Sequence, residues 1–416
     1  MRKVPELRFD GFDEDWKDSK IQNIINVTSV KRVHKSDWAT SGIPFLRARD
    51  LVSIINKTEV DEKLFISEEL YNKYSKISGK VKQNDVLITG VGSIGVPYLV
   101  KNNKPLYFKD GNIIWFVNDN KLDGWFFYSQ LLTSRIQDYI RASSGKGTVD
   151  TLTITTAKDI NVIFPNNDEQ EKIGLLFKKI DGLIEIQEGK VSKMEDFKKS
   201  MLQKMFPKKG ELVPEFRFDG FDGKWNIERI GEIMKVTSVK RVMQSDWKNT
   251  GVPFLRARDL VAYAEGKEVE DKLYISEELY NKYSQISGKV NTGDLLVTGV
   301  GSIGIPYMVK NNEPLYFKDG NIIWLVNNNI MNGRFLFYSF NTSEIKNFIK
   351  RLSGKGTVNT LTISTAKSIP LTFPSIEEQA KIGQFFKNLD AQIDTEKKLL
   401  DSYKNMKKSL LQKMFV

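Results

Sequence analysis

The chain has 416 residues, no cysteine and a formal net charge of +11 at pH 7. The absence of cysteine excludes disulfides, cysteine nucleophiles and thiolate-bound zinc or iron–sulfur sites, and it fits the reducing cytoplasm, where we expect the protein to be. No apolar run has the length of a membrane span and the N-terminus lacks the apolar region of a signal peptide, so no membrane partner is expected. The excess of Lys and Arg favours a polyanionic partner without proving one.

The sequence repeats itself with an offset of 209 residues, which takes Val4 to Val213. One unchanged run, PLYFKDGNIIW, occupies residues 105–115 and returns at residues 314–324. A unit of this length is a duplicated domain, because solenoid repeats span only about 20–50 residues. Two similar binding surfaces on one chain suit a target that has two similar halves.

In the first copy, the residues from about Trp16 to Pro165 have the pattern of a mixed globular part. Short runs rich in β-branched or aromatic residues predict strands at residues 44–47, 85–89, 97–101, 112–117 and 160–164. Ser67, followed by two glutamates, predicts the start of a short helix, and residues 125–141 predict a second helix. Helices scattered among strands indicate an α+β domain.

After Pro165 the pattern changes to one long helix in each copy, with the four-and-three spacing of a coiled-coil seam. The first seam consists of Ile173, Phe177, Ile180, Ile184, Gln187, Val191, Met194, Lys198, Met201 and Met205. The second consists of Ile382, Phe386, Leu389, Ile393, Glu396, Leu400, Tyr403, Lys407, Leu410 and Met414. A helix over residues 168–206 would be about 58 Å long. Pairing of the two helices is favoured over packing of each on its own domain, and polar seam positions often fix the register of such a pair.

The linker Pro207-Lys208-Lys209-Gly210 breaks the first long helix, and the second copy begins at once. The predicted boundaries are a globular part at residues 1–165, a helix at 166–209, a globular part at 210–374 and a helix at 375–416. The first residues of the chain (VPELRFDGF) match those after the linker (VPEFRFDGF). The N-terminal arm therefore has the same context as the junction, and the chain could close into a ring with pseudo-twofold symmetry.

Two glycine-rich segments resemble nucleotide-binding motifs only superficially. Residues 90–95 and 299–304 match G-x-G-x-x-G, but a strand pattern follows where the dinucleotide fingerprint needs a helix, so we predict a hairpin turn. Such a turn could still let the backbone approach DNA closely. The segment 145–148 has Ile140 and Gly147 where a Walker A motif needs Gly and Ser or Thr. This segment is either a loop that gives Lys146 to a DNA phosphate or a solvated loop.

Residues for catalysis do not stand out. The single histidine, His34, is replaced by Met243 in the second copy, which argues against histidine chemistry and histidine metal clusters. No Pro-Pro and no Pro-Asp dipeptide occurs, so the plainest amino-methyltransferase and nuclease signatures are missing. Carboxylates form no repeated inward-facing pair. We therefore expect no catalytic residue, no metal site and no cofactor in this chain.

Basic residues that recur in both copies are the candidate DNA-binding residues. The two arginines of Leu46-Arg47-Ala48-Arg49-Asp50 would share one face if this segment were a strand. Arginine forks read guanine edges or clamp phosphates, although binding to nearby carboxylates such as Asp50 is the alternative. The candidates are Lys31, Arg32, Arg47, Arg49, Lys80, Lys109 and Lys146, with Lys240, Arg241, Arg256, Arg258, Lys289, Lys318 and Lys355 in the second copy.

With these motifs the chain resembles the specificity subunit of type I restriction–modification enzymes. The resemblance covers nearly the whole chain, and the order of domain, helix, domain, helix is more specific than any single motif. It is carried by these segments, each with a counterpart in the second copy: Gly42-Ile43-Pro44-Phe45-Leu46-Arg47, Asp85-Val86-Leu87-Ile88-Thr89-Gly90, residues 144–149, Leu152-Thr153-Ile154, Phe164-Pro165, Glu169-Gln170, Lys172-Ile173, Asp181 and Leu202-Gln203-Lys204-Met205-Phe206.

The resemblance implies two target-recognition domains that each read half of a split site in double-stranded DNA. It implies that the long helices pair antiparallel, set the spacing between the half-sites and dock two modification (methyltransferase) subunits. S-adenosylmethionine would then act on those subunits, and ATP and magnesium on the restriction (translocase) subunits. The alternatives are a stand-alone two-domain DNA-binding regulator and, with less support, a nuclease with a fused reader.

Members of this family often have two different recognition domains, whereas the two copies here are alike. The closeness of the copies predicts a target whose halves are the same or nearly the same sequence in inverted order, about 34 Å apart or a multiple of that. The copies differ most at residues 53–58 against 262–267, and at 119–125 against 328–334. If the half-sites differ by a base, these segments are the suspects.

Overall fold

The computed structural model describes residues 4–144, 150–352 and 360–416, which form two compact units. Unit 1 holds the described residues up to Glu188 together with Lys398–Val416, and unit 2 holds the described residues of Gly189–Lys397. Each unit contains one copy of the globular part and a portion of both long helices. The repeat of the sequence is therefore a repeat of the fold.

The first copy alternates short strands and helices before a long helix begins. The elements are β1 (Lys17–Lys20), β2 (Asn26–Thr28), β3 (Ile43–Leu46), α1 (Ala48–Ile55), β4 (Leu64–Ile66), α2 (Glu68–Ser78), β5 (Val86–Thr89), β6 (Pro97–Leu99), β7 (Tyr107–Phe108), β8 (Ile113–Val117), α3 (Gly124–Leu131), α4 (Ser134–Ser143), α5 (Ile154–Lys158), β9 (Asn161–Phe164) and α6 (Asn167–Lys204).

The second copy repeats this order almost element for element. The elements are β10 (Asn226–Arg229), α7 (Ile230–Ile233), β11 (Lys235–Thr237), β12 (Val252–Leu255), α8 (Ala257–Ala264), β13 (Leu273–Ile275), α9 (Glu277–Ser287), β14 (Leu295–Thr298), β15 (Pro306–Met308), β16 (Tyr316–Phe317), β17 (Ile322–Val326), α10 (Gly333–Ser339), α11 (Ser343–Leu352), α12 (Ile363–Lys367), β18 (Pro370–Phe373) and α13 (Ile376–Lys413).

Three small sheets organise each unit, so the α+β prediction is confirmed. In unit 1 an antiparallel sheet has the order β2-β8-β5-β6, a mixed sheet has the order β4-β3-β7, and β1 pairs with β9. Unit 2 repeats these sheets as β11-β17-β14-β15, β13-β12-β16 and β10-β18. The central strands β5 and β8 are almost wholly buried because their apolar runs are covered on both faces.

A buried carboxylate ties the central strands together in each unit. Asp85 accepts hydrogen bonds from Trp115 Nε1 at 2.9 Å and from the Asn118 backbone N–H at 2.9 Å. Burial raises the pKa of Asp85, against the opposing effect of these hydrogen bonds. Asp294 makes the same bonds to Trp324 and Asn327 in unit 2. This Asp therefore belongs to the folded core of each unit.

The predicted strands are confirmed within about two residues, whereas one predicted helix is wrong. Residues 125–141 form two helices, because α3 ends at Leu131 and Thr133 takes an extended conformation ahead of α4. The short helix predicted at Ser67 is confirmed as α2, whose first turn is capped by the Ser67 hydroxyl accepting from the Leu70 N–H at 3.1 Å.

The long helices α6 and α13 are confirmed, and they pair antiparallel in each unit. In unit 1 Asp181 binds Lys407 at 2.6 Å, and Glu188, later in α6, binds Lys404, earlier in α13, at 2.8 Å. In unit 2 Lys198 binds Asp390 at 2.5 Å. Every seam residue is buried or half-buried, including the polar Gln187, Glu396, Lys198 and Lys407. The two seam lysines are accommodated because each has an aspartate on the facing helix.

Aromatic residues anchor the ends of both long helices. In unit 1 Phe415 packs against Trp16, Phe126 and Phe177, and the Leu7 N–H donates to the Lys413 carbonyl at 2.8 Å. In unit 2 the same arrangement places Phe206 against Trp225, Phe335 and Phe386, and Phe216 donates to Lys204 at 2.8 Å. The N-terminal arm therefore docks on the end of α13 as the segment after the linker docks on the end of α6.

Candidate nucleic-acid interface

Four of the recurring cations of unit 1 come from three segments of the chain and are linked through Tyr71, Tyr107 and Asp110. Lys31 and Arg32 follow β2, Lys80 follows α2, and Lys109 follows β7. Sequence separations of up to 78 residues are bridged by side chains: Arg32 Nε lies 2.7 Å from Asp110 Oδ2. We call Lys31, Arg32, Lys80 and Lys109 the basic cluster of unit 1. The fold brings these residues together although they are far apart in the sequence.

Hydrogen bonds to the backbone hold Lys31 in this cluster. Its N–H donates to Ser78 Oγ at 2.7 Å, and its carbonyl accepts from the Tyr107 hydroxyl at 2.8 Å. Burial raises the pKa of Tyr107 to about 12. The Lys31 side chain is exposed and takes no part in these bonds.

Lys80 and Lys109 complete the cluster. The Lys80 ammonium lies 5.7 Å from the centre of the Tyr71 ring, which orients it by a cation–π contact. Lys109 Nζ lies 3.8 Å from Asp110 Oδ1. Arg32 remains 66% exposed at its side chain although Asp110 is nearly buried. Lys31, Arg32 and Lys80 are exposed and Lys109 is half-buried, so the cluster presents positive charge to solvent.

Unit 2 contains the same cluster with nearly the same geometry. Arg241 binds Asp319 at 2.9 Å, the Lys240 N–H donates to Ser287 at 2.7 Å, and Lys289 lies 5.6 Å from the ring centre of Tyr280. Lys318 lies 3.9 Å from Asp319, and the Lys240 carbonyl accepts from Tyr316. The duplication has preserved the arrangement and not only the residue types.

Arg47 occupies a different setting from the one that the strand interpretation predicted. The chain turns into helix α1 at Ala48, so Arg47 and Arg49 do not share a strand face, and that interpretation is wrong. The Arg47 guanidinium is 13% exposed and binds Asp50 through Nε at 2.8 Å and Nη2 at 3.0 Å. The hydrogen bonds that Arg47 donates to Asp50 raise the pKa of Arg47, and burial partly offsets this effect. Asp50 also caps α1, because it accepts from the Arg47 N–H at 2.8 Å.

Arg49 is more available than Arg47. Its side chain is 64% exposed and contacts the exposed Glu62 at 3.2 Å. In unit 2 Arg256 binds the buried Asp259, and Arg258 contacts the exposed Asp271 at 3.2 Å. All four arginines therefore contact carboxylates, Arg47 and Arg256 in a largely buried setting and Arg49 and Arg258 in an exposed one. The candidates Lys146 and Lys355 lie outside the described residues.

The glycine-rich segment forms a turn between β5 and β6, as predicted. The two strands pair antiparallel, and Gly92 and Gly95 have φ of +70° and +76°, which favours glycine at both positions. Thr89 stabilises the turn because its hydroxyl donates to the Ser93 carbonyl and accepts from the Val96 N–H. A strand follows, so no helix N-terminus is available here for a dinucleotide.

The most divergent segments lie beside the long helix and not in the basic cluster. Lys57, from segment 53–58, binds Glu188 of α6 at 3.0 Å. The Asp123 N–H, in segment 119–125, donates to Gln170 of α6 at 3.1 Å. Two exchanges lie close to cluster residues in the sequence: His34-Lys35, after Arg32, becomes Met243-Gln244 in the second copy, and Lys82, after Lys80, becomes Asn291.

Three supporting residues of the cluster were missed from the sequence: Ser78, Tyr107 and Asp110. The signal for two of them was present, since Tyr107 and Asp110 lie within the unchanged run at residues 105–115. Among the described residues, no group of three or more His, Asp or Glu side chains is placed to hold a metal ion. None of the described helices has the length and apolar character needed to cross a membrane.

Comparison with known protein families gives the same match for both halves of the chain. A sequence profile of the type I restriction modification DNA specificity domain matches residues 13–196 and again residues 222–404. Both matches begin in the globular part and extend into a long helix. They therefore cover each copy of the repeat.

Individual relatives agree with this result. The type I restriction enzyme MjaIX specificity subunit of Methanocaldococcus jannaschii is 26% identical over 338 residues, which are 73% of this chain and 75% of the relative. The MjaVIII specificity subunit of the same organism is 23% identical over 373 residues, 83% of this chain and 82% of the relative.

Solved structures share the fold. The S subunit of a type I restriction–modification system from M. genitalium superposes with a TM-score of 0.60 at 18% identity, over 99% of this chain and 99% of that chain. A chain from a study of complex assembly and conformational transition in a type I R-M system has a TM-score of 0.57 at 15% identity, over 96% and 97% of the two chains. Since the family profile matches both copies of the repeat, the chain belongs to the type I restriction–modification DNA specificity family.

Proposed function

We propose that this chain is the DNA-specificity subunit of a type I restriction–modification complex. The observation that carries the proposal is the coincidence, in each unit, of a family match with a copy of the basic cluster. Each cluster offers lysines and an arginine to one half of a split DNA target. The target-recognition domains would be residues 1–165 and 210–374, and the helices at 166–209 and 375–416 would join them.

In this proposal the basic clusters bind phosphates and thereby position neighbouring side chains over base edges. Lys31, Lys80 and Lys109 are compact charges suited to phosphate, and neutralising phosphates makes affinity fall with salt. Base reading needs groups that reach the grooves, for which the exposed Arg49 and Arg258 are the proposed candidates. Lys146 and Lys355 are proposed as further phosphate contacts.

The partners would be double-stranded DNA, two modification subunits and the restriction subunits, all in the cytoplasm. This chain performs no catalytic step itself. S-adenosylmethionine would act on the modification subunits, and ATP and magnesium on the restriction subunits. In this chain the glycine-rich turn leads into a strand, whereas the dinucleotide-binding turn leads into a helix N-terminus.

The similarity of the two units supports a target with near-identical inverted halves. The distances within the two basic clusters agree within 0.2 Å for the Arg32–Asp110 and Arg241–Asp319 pairs, at 2.7 and 2.9 Å. If the halves differ, we propose that the exchange of His34-Lys35 for Met243-Gln244 contributes to the difference, beside the two divergent segments.

The test is to purify the chain with its modification subunits and map methylated positions in DNA. A bipartite motif with related inverted halves is expected. Two unrelated half-sites would remove the symmetry proposal and leave the function standing. A chain that copurifies with no methyltransferase and binds DNA tightly alone would favour the two-domain regulator instead.

A matched set of variants connects the function to the clusters. Lys31→Ala/Arg32→Ala should weaken DNA binding and flatten its salt dependence. Lys193→Ala/Lys199→Ala on α6, which also removes two exposed positive charges, should leave the salt slope within about 0.5 of the unaltered chain. Equal effects of the two variants would mean that the basic cluster has no special role.

A further inference from the structure

The long helices contact each other through ion pairs, and only some of these pairs are the same in both copies of the repeat. One kind is the same in both units: Asp181 binds Lys407 at 2.6 Å in unit 1, and Asp390 binds Lys198 at 2.5 Å in unit 2. The 209-residue offset takes Asp181 to Asp390 and Lys198 to Lys407. Each helix therefore carries one Asp and one Lys, and this pair does not distinguish α6 from α13.

The second kind has its signs reversed between the copies. Glu188 of α6 binds Lys404 of α13 at 2.8 Å in unit 1, and Glu195 of α6 binds Lys397 of α13 at 2.6 Å in unit 2. The offset takes Glu188 to Lys397 and Glu195 to Lys404. At these positions α6 therefore carries two glutamates and α13 carries two lysines.

A third contact is also specific to the unlike pair. Lys190 binds Glu396 at 2.7 Å, and the equivalent positions hold Leu399 and Gln187. The apolar seam differs less between the helices, because Ile173 and Phe177 have the counterparts Ile382 and Phe386, although Met194 is replaced by Tyr403. Charges beside the seam are the place where two similar helices can be told apart.

Pairing of like helices in the same antiparallel register would reverse these contacts. Two copies of α6 would keep Asp181 opposite Lys198 but would place Glu188 opposite Glu195, twice per pair. Two copies of α13 would place Lys397 opposite Lys404, twice per pair. A chain built from two similar halves is exposed to such mispairing with a second copy of itself, because the two apolar seams are similar.

We propose that Glu188, Glu195, Lys397 and Lys404 form a pairing code by which α6 binds α13 and rejects the like helix of a second copy. The partner that this helix face fits is the other long helix, and the excluded partner is the same helix of another chain. The code is independent of DNA binding, since all four residues lie on α6 and α13 and none belongs to a basic cluster. It selects the partner by repulsion in the wrong pair as well as attraction in the right one.

The test lets like and unlike pairs of helices compete in one solution that contains both halves of the chain. A protease site is placed in the linker at residues 207–210, the folded chain is cut there, and the two pieces are unfolded and refolded together. Native mass spectrometry then measures unlike and like pairs. Each exposed charge contact changes an equilibrium about twofold. Two unlike pairs hold four glutamate–lysine attractions, whereas two like pairs hold four repulsions. Because several twofold factors multiply, unlike pairs should exceed their share in a random mixture by at least about tenfold.

Two variants separate the code from general effects of charge. Glu188→Lys/Lys404→Glu keeps every α6–α13 ion pair but makes like pairs attractive, so the composition should move to within about threefold of random. Glu188→Lys/Glu195→Lys/Lys397→Glu/Lys404→Glu changes twice as many residues but restores repulsion in like pairs, so it should behave as the unaltered chain. Both variants lose the Lys57 contact to Glu188 equally.

Three results would overturn the code. These are a random mixture from the unaltered chain, an unlike-pair excess that persists in the double variant, and a quadruple variant that behaves like the double. If a variant does not refold, a salt titration of the unaltered chain decides the question. The excess should collapse between about 0.05 and 1 M NaCl, because exposed charges are screened, and a salt-independent excess would contradict the proposal.

Discussion

Units 1 and 2 contain the same buried ion pair, whereas exposed ion pairs between their long helices are reversed in sign. In unit 1 Arg8 binds Glu169 at 2.7 Å, and in unit 2 Arg217 binds Glu378 at 2.7 Å, with both glutamate side chains at most 1% exposed. The exposed pairs of the helices have instead exchanged signs between the copies. A buried charge without its partner is strongly destabilising, whereas reversing an exposed ion pair changes stability little. This difference explains why the buried pair is the same in both copies and the exposed helix pairs are reversed.

The largest predicted effect tests the shared interior. Glu169→Ala should lower the free energy of unfolding of unit 1 by about 3–5 kcal/mol, because Arg8 then remains nearly buried without its partner. Glu378→Ala should lower that of unit 2 by a similar amount, since Arg217 is in the same position. Hydrogen exchange resolved by unit, with and without denaturant, measures both.

A matched control for this prediction is Glu6→Ala. Glu6 binds Lys413 at 3.3 Å, but its side chain is 72% exposed, so its removal should cost at most about 1 kcal/mol. A cost for Glu169→Ala no larger than that for Glu6→Ala would break the distinction between buried and exposed pairs.

The next effect concerns a glycine within each long helix. A Cβ at Gly174 would lie 1.9 Å from Asp123 Oδ1, the oxygen that accepts from the Phe126 N–H and caps α3. Gly174→Ala should therefore cost about 1–3 kcal/mol, through loss of the cap and overpacking. Gly383→Ala should cost less, because its Cβ would lie 2.7 Å from the equivalent Asn332 Oδ1.

Gly182 is the control for this pair. Nothing lies within 4 Å of a Cβ at Gly182, so Gly182→Ala should stabilise α6 by up to about 1 kcal/mol. Thermal unfolding of the three variants gives the order directly. Equal destabilisation at Gly174 and Gly182 would show that helix propensity and not the α3 contact decides.

Sequence patterns predicted those parts of the fold whose signal is local. The seams of α6 and α13 are readable because one helix face repeats every three or four residues. Strands β4 and β7 have only three and two residues, and each forms through its partner β3, so no local pattern predicts them. The break at Thr133 was missed because residues 125–141 keep an apolar pattern across it.

Only part of the candidate site could be predicted from the sequence, because the association of its residues is not a local signal. The repeat marked Lys31, Lys80 and Lys109 as candidates, but their meeting depends on long-range bonds such as that of Arg32 to Asp110. Arg47 was misplaced because the apolar strand before it hides the start of α1, which is fixed by the Asp50 cap. The sequence named Asp50, three residues after Arg47, as the alternative partner, but the burial of this pair depends on tertiary packing that spacing does not reveal.

Variants of the basic clusters sharpen the comparison of the two units on DNA. Lys31→Ala/Arg32→Ala and Lys240→Ala/Arg241→Ala should each lower the salt slope of binding by about 1–2, equally if the half-sites are alike. Lys146→Ala and Lys355→Ala should each lower it by about 1. Binding titrations between about 0.05 and 0.2 M salt measure the slopes.

Arg47→Ala is the contrasting variant. Because Arg47 is bound to the buried Asp50, its loss should destabilise α1 and leave the salt slope nearly unchanged. A drop in slope without loss of stability would instead place Arg47 on DNA. Unequal slopes for the two cluster variants would show that the two half-sites are not held alike.

The smallest predicted effect is an acid sensitivity of the helix pair in unit 1. Partial burial tends to raise the pKa of Glu188, but hydrogen bonds from Lys404 and Lys57 outweigh it, and the pKa is lowered. A carboxylate whose pKa is lower in the folded state stabilises above its unfolded pKa of about 4.3, and this contribution is lost as the pH falls through the folded value.

Glu188→Gln should therefore reduce stability at pH 7 and have almost no effect near pH 2, where the carboxylate of the unaltered chain is protonated as well. The difference at pH 7 is expected to be below about 1 kcal/mol, because both lysines are half-exposed. Denaturant unfolding of the two proteins across pH 2–7 gives the curve. A difference that stays constant over this range would mean that Glu188 acts through packing and that its charge does not stabilise the helix pair.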